Sequence, residues 1–126
     1  MSLILDAGAL VAIERADREL VALIKRELSA GRVPVTHGGV VGQVWRGGTG
    51  RQAGLARFLP AIDVSALDDD LGRRAGVLLG RARMSDVVDA ALVLLAVDGD
   101  SVLTSDADDI ERLAAATGLH IDIVPV

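Results

Sequence analysis

The chain contains no cysteine, so disulfides, thiolate metal sites and cysteine nucleophiles are excluded. Aromatic residues make up only 2% of it, which leaves the core to Leu, Val, Ile and Ala. Its two histidines, His37 and His120, lie far apart and show no zinc-ligand spacing. No apolar run approaches the roughly 18–20 residues of a membrane span. No charged leader precedes an apolar stretch at the N-terminus, so no signal peptide is expected and the expected location is the cytoplasm. Basic residues are outnumbered: the net charge of -5 works against a simple nucleic-acid-binding protein. The 126 residues fit a single domain, 1–126, and with 51% hydrophobic residues it can bury a sizeable core.

The charge is unevenly spread. Arg46, Arg51, Arg57, Arg73, Arg74, Arg81 and Arg83 form a cationic middle, in which the acids are Asp63 and Asp68 to Asp70. These arginines suit either the phosphates of a polyanion or ordinary solvated helix faces. Short apolar runs predict strands at 2–6, 33–36, 62–64, 102–103 and 120–124. Pro34 places the second at a strand start or a sheet edge. Between them, three- and four-residue spacing predicts helices. These run over 9–15, from an Asp17 cap to about 28, over 40–46, from a Thr49 cap to Pro60, over 67–83, from a Ser85 cap over 86–97, and over 108–117. The helix at 86–97 is apolar nearly all round and is expected to be central. Strands alternating with helices predict a parallel sheet covered on both faces, with right-handed crossovers.

Aspartates mark the ends of these runs. Asp6 closes Leu3-Ile4-Leu5, Asp106 closes Ser101-Val102-Leu103-Thr104-Ser105, and Asp86 and Asp89 open the apolar helix. Sites form at the carboxyl ends of strands in open α/β sheets. Carboxylates gathered there repel one another unless a cation lies between them, and hard divalent ions take oxygen ligands. Each of these acids has a second reading. Asp6 and Asp106 suit a helix N-cap, Asp89 suits the positive end of a helix dipole, and Asp86 either caps the helix with Ser85 or reaches the site. Asp108 and Asp109 are first-turn acids. Glu14, two helical turns after Asp6, is either a cleft residue or a solvated one. A phospho-aspartate receiver would need a lysine near the last strand, and the only lysine is Lys25.

Three further stretches complete a pattern: Val40-Val41-Gly42-Gln43-Val44-Trp45-Arg46, Asp86-Val87-Val88-Asp89-Ala90-Ala91-Leu92, and Leu103-Thr104-Ser105-Asp106-Ala107-Asp108-Asp109. With the opening Leu3 to Leu10, and in this order, they resemble the PIN domains, above all the VapC-type toxins of type II toxin–antitoxin pairs. The resemblance covers essentially the whole chain. It implies an α/β fold, a PIN-like three-layer α/β/α sandwich with a central, mostly parallel sheet. It implies an endoribonuclease dependent on Mg²⁺ or Mn²⁺, with Asp6, Asp89 and Asp106 as catalytic and metal-holding acids. Asp86, Asp109, Gln43, Thr104 and Ser105 are additional candidates. Gln43 stands where the family carries a glutamate, and it can offer only a carbonyl oxygen and an amide. The alternative is therefore a catalytically weakened PIN-like binding module acting through RNA or a partner. Thr104 and Ser105 either orient a water or phosphate oxygen or simply serve the strand and turn. Arg46 and Arg51 are candidates to hold RNA. Trp45 is a packing or interface anchor or a base-stacking platform, and His37 either contacts phosphate or is a plain loop residue. The resemblance further implies a cognate antitoxin, an RNA substrate and a homodimer; with no apolar run long enough for a span, no membrane association is expected.

Overall fold

The computed structural model describes residues 1–126, with a five-stranded sheet at its centre. The strands are β1 (Leu3–Leu5), β2 (Val35–His37), β3 (Asp63–Ser65), β4 (Ser101–Thr104) and β5 (Asp122–Pro125). The helices are α1 (Ala7–Glu14), α2 (Arg18–Ser29), α3 (Gly38–Val44), α4 (Ala53–Phe58), α5 (Asp69–Ala82), α6 (Val87–Leu94) and α7 (Ala107–Thr117). Every strand pair is parallel, in the order β3-β2-β1-β4-β5. The expected mostly parallel sheet is therefore wholly parallel. The fold is a three-layer α/β/α sandwich: α1 packs with α2, α3 and α4, while α5, α6 and α7 pack together as the other layer.

The sequence explains the layers. All of β1 and all of β4 are buried, as central strands covered on both faces must be. In α2, Leu20, Ile24 and Glu27 face inward at helical spacing. In α5, Leu71, Ala75 and Leu78 do the same, and the outer face carries the i,i+4 pairs Arg73–Asp69 and Arg74–Asp70. The core comprises 25 buried residues, none of them aromatic. Buried Glu27 is matched by Arg32, whose Nε donates to Oε2 at 2.6 Å and whose Nη2 donates to Oε1 at 3.2 Å, so the guanidinium holds its carboxyl below the usual range.

Several boundaries differ from the sequence reading. Asp86, not Ser85, caps α6, because its Oδ1 accepts the Asp89 N–H at 3.0 Å. The helix stops at Leu94 rather than Val97. The amides of Leu95 and Ala96 turn back to the carbonyls three residues earlier, and Asp100 Oδ2 accepts the Val97 N–H at 2.9 Å. Thr49 precedes a single 3₁₀ turn (Gly50–Gln52) and makes no side-chain cap; α4 begins only at Ala53. Pro34 lies just before β2, where its carbonyl accepts the Asp63 N–H at 2.9 Å.

The strand order places the site. The chain steps outward from β1 to β2 and β3, then crosses back to lay β4 on the other side of β1. The connections leaving β1 and β4 therefore diverge to opposite layers, opening a crevice at the carboxyl ends of these two strands. Asp6 follows β1 and Asp106 follows β4, so both stand at that crevice.

Candidate metal centre and adjoining groove

Asp89, Asp106 and Asp109 converge: one carboxylate oxygen from each lies within 4.8 Å of the other two. Asp89 comes from the first turn of α6, Asp106 from the residue before α7, and Asp109 from the first turn of α7. Asp106 is the telling residue. Asp6, Asp17, Asp68 and Asp86 each precede a helix and each accept an N–H three residues on, at 2.9, 3.0, 2.9 and 3.0 Å. Asp106 also precedes a helix yet makes no such cap. Its own N–H donates to Thr104 Oγ1 at 2.8 Å, and its carboxylate turns to the cluster.

The cluster is electrostatically loaded. Loss of hydration pushes Asp89 up to about 6, with repulsion from Asp86, Asp106, Asp6 and Asp109 adding to it. Asp106 is raised as well, first by loss of hydration and then by neighbouring Asp109, Asp6 and Asp108. No Lys or Arg pairs with any of these carboxylates. Oxygen-only donors, close together and without a cationic side chain, fit a hard divalent cation better than a softer one.

Asp6 borders this group rather than sharing its shortest contacts. It is buried, Oδ1 accepts the Ala9 N–H at 2.9 Å, and Oδ2 accepts the Ser105 N–H at 3.0 Å. It thus caps α1, ties the end of β1 to the turn after β4, and adds its charge beside Asp89 and Asp106. Asp86 likewise caps α6 and repels Asp89. Thr104 is fully buried, with its hydroxyl engaged by the Asp106 N–H. Ser105 is exposed, and a Cβ added to Gly8 would lie 2.4 Å from its Cβ, so α1 approaches this turn as closely as glycine permits.

A groove of about 830 Å³ opens beside the acids. Gly8 and Ser105 form its border with the site, and Gln43, Glu14, Arg15, Arg46 and Arg51 line it. Gln43 is exposed there, as is Arg46, whose Nη1 donates to the carbonyls of Gly42 and Trp45 at the end of α3. Arg15, Arg46 and Arg51 make no ion pair. Glu14 thus belongs to the cleft. The groove wall depends on Gln52, which the sequence reading passed over: Oε1 accepts the N–H of Arg46 at 2.8 Å and of Gly48 at 3.2 Å, and Nε2 donates to Val44 O at 2.8 Å. Only its burial marks it, since no spacing pattern does. Trp45 is partly exposed and lies over Gly48, outside the core.

His37 is no loop residue. It is fully buried; Nδ1 accepts the Gly39 N–H at 3.1 Å, and Nε2 lies 2.9 Å from Val88 O. Burial lowers its pKa despite the Val88 carbonyl.

No family model matches the chain, and no curated protein does. Among solved structures, the fold matches a chain of VapBC2 from Rickettsia felis, determined bound to a DNA fragment from their promoter. The TM-score is 0.70, and the match covers 98% of each chain at 13% identity. At that identity the likeness establishes the PIN-like fold over nearly the full length of both.

Proposed function

We propose that this protein is a divalent-metal-dependent endoribonuclease, the toxin of a type II toxin–antitoxin pair. The observation that carries the reading is the convergence of Asp89, Asp106 and Asp109 at the β1/β4 crevice, with Asp106 released from capping. Asp89, Asp106 and Asp109 would hold Mg²⁺ or Mn²⁺, with Asp6 alongside as a fourth charge. Bound there, such an ion lowers the pKa of water and polarises a phosphoryl oxygen. The chain does the rest. The tie between Asp6 and Ser105 fastens the end of β1 to the turn after β4, and exposed Ser105 lines the groove. Arg46 and Arg51 supply charge for an RNA backbone, and their contacts are salt-sensitive. The VapBC2 likeness supports a cognate antitoxin as partner, and the same family pattern supports a homodimer. Nothing at the site favours a purely binding role over catalysis.

Chelation is expected to abolish RNA cleavage by the purified protein, and added Mn²⁺ to restore it. Asp89→Asn and Asp106→Asn are each expected to lower cleavage by at least about 100-fold, the scale of losing a group that acts on the reacting centre. Circular dichroism should show both variants folded. Cleavage that survives chelation unchanged would remove the metal from the reaction.

A further inference from the structure

We propose that His37 is a positioning residue for the metal centre, clamping the peptide plane that carries Asp89; this rests on the metal-dependent reading above. The plane between Val88 and Asp89 is held at both ends by side chains. Its N–H donates to Asp86 Oδ1 at 3.0 Å, and its carbonyl faces His37 Nε2 at 2.9 Å. The partners settle the roles of the ring atoms. A backbone N–H from Gly39 points at Nδ1, which must accept, and a carbonyl faces Nε2, which must carry the hydrogen. The neutral Nε2–H tautomer is therefore the one that satisfies both contacts.

The ring is also fixed in place. His37 ends β2 and caps α3, and a Cβ on Gly39 would come within 2.9 Å of its Cε1. One imidazole thus links the helix that bears Gln43 to the first turn of the helix that bears Asp89, across the end of the sheet. Second partners of this kind tune a metal site by fixing where its ligands stand.

Two substitutions separate positioning from bulk stability. His37→Asn keeps an oxygen where Nδ1 accepts but cannot reach Val88. His37→Gln places an amide N–H where Nε2 donates. Mn²⁺ affinity, read by calorimetry, is expected to fall about 10- to 100-fold in His37→Asn and to stay near wild type in His37→Gln. Ile24→Ala, a fully buried change on α2, should lower the melting temperature without altering Mn²⁺ affinity. Equal affinity in the Asn and Gln variants would overturn the proposal. A wild-type protein that binds no Mn²⁺ would instead overturn the metal reading, and this inference with it. Should neither variant fold, the wild-type protein decides, because it has only two histidines. Mg²⁺ addition should move the ring ¹⁵N resonances of His37 and leave those of exposed His120 in place; an unmoved His37 would overturn the clamp.

Discussion

Asp89 and Asp106 hold their protons more tightly than ordinary aspartates because water is partly excluded and further carboxylates surround them. Asp89 is raised from 3.8 to about 6, so the folded state binds more protons than the unfolded one between those values. Its contribution to stability is therefore greatest below the lower value and is lost as pH rises through the upper one. Through this residue the metal-free protein should lose stability between about pH 4.5 and pH 7, and Asp89→Asn should flatten that part of the melting profile. Mn²⁺ competes with the same proton, so its affinity should fall as pH drops through about 6. Asp86→Ser retains a capping oxygen while removing a repelling charge. It should lower the Asp89 pKa, measured by carboxyl NMR titration, with little change in stability. Gln43 lies in the groove rather than in the carboxylate cluster. Gln43→Glu is therefore expected to leave Mn²⁺ affinity unchanged and to weaken RNA binding through charge repulsion. A large rise in cleavage rate would instead show that the site lacks a carboxylate.

The elements act through how closely they approach one another. The first turn of α1 meets the turn after β4 at Gly8 and Ser105, where an added Cβ would lie 2.3 Å from Ser105 Oγ. Gly8→Ala should force the two apart, cost about 1–3 kcal/mol as overpacking does, and strain the bond from Ser105 N–H to Asp6. Thermal unfolding and Mn²⁺ titration check both effects. Element type was readable because hydrophobic spacing alternates between strand and helix periods along the chain, and the Asp17 cap of α2 fell where expected. The end of α6 was not readable. Its apolar run continues past Leu94, and the stop is made by Asp100, whose two oxygens bind the N–H groups of Ser2 and Val97. One of those partners is 98 residues away, beyond the reach of any local pattern.

On the scale of the whole molecule, an acidic crevice adjoins a groove where Arg15, Arg46 and Arg51 stand with Glu14 and Asp17, in a chain whose net charge is -5. Repulsion by the acids is offset for a polyanion only where the groove arginines stand and where a cation neutralises the cluster. RNA affinity should fall with rising salt, and Arg51→Ala should reduce the slope of log K against log salt by about 0.7, the value for one phosphate contact on a single strand. Filter binding at several salt concentrations, with cleavage blocked by chelation, measures this. No helix is long and apolar enough to cross a membrane.

The order of residues by itself determined an aliphatic core, alternating strands and helices, and aspartates at the strand ends, because each of these is a local consequence of side-chain size, period and capping chemistry. Which carboxylates meet was decided by tertiary structure. The return crossover that sets β4 beside β1 brings α6 and α7 together, so Asp109 joins Asp89 and Asp106 while Asp6 stands at their border. The same crossover buries His37 against Val88. Charge repulsion and proton affinity depend on distances through space, and strand order sets those distances.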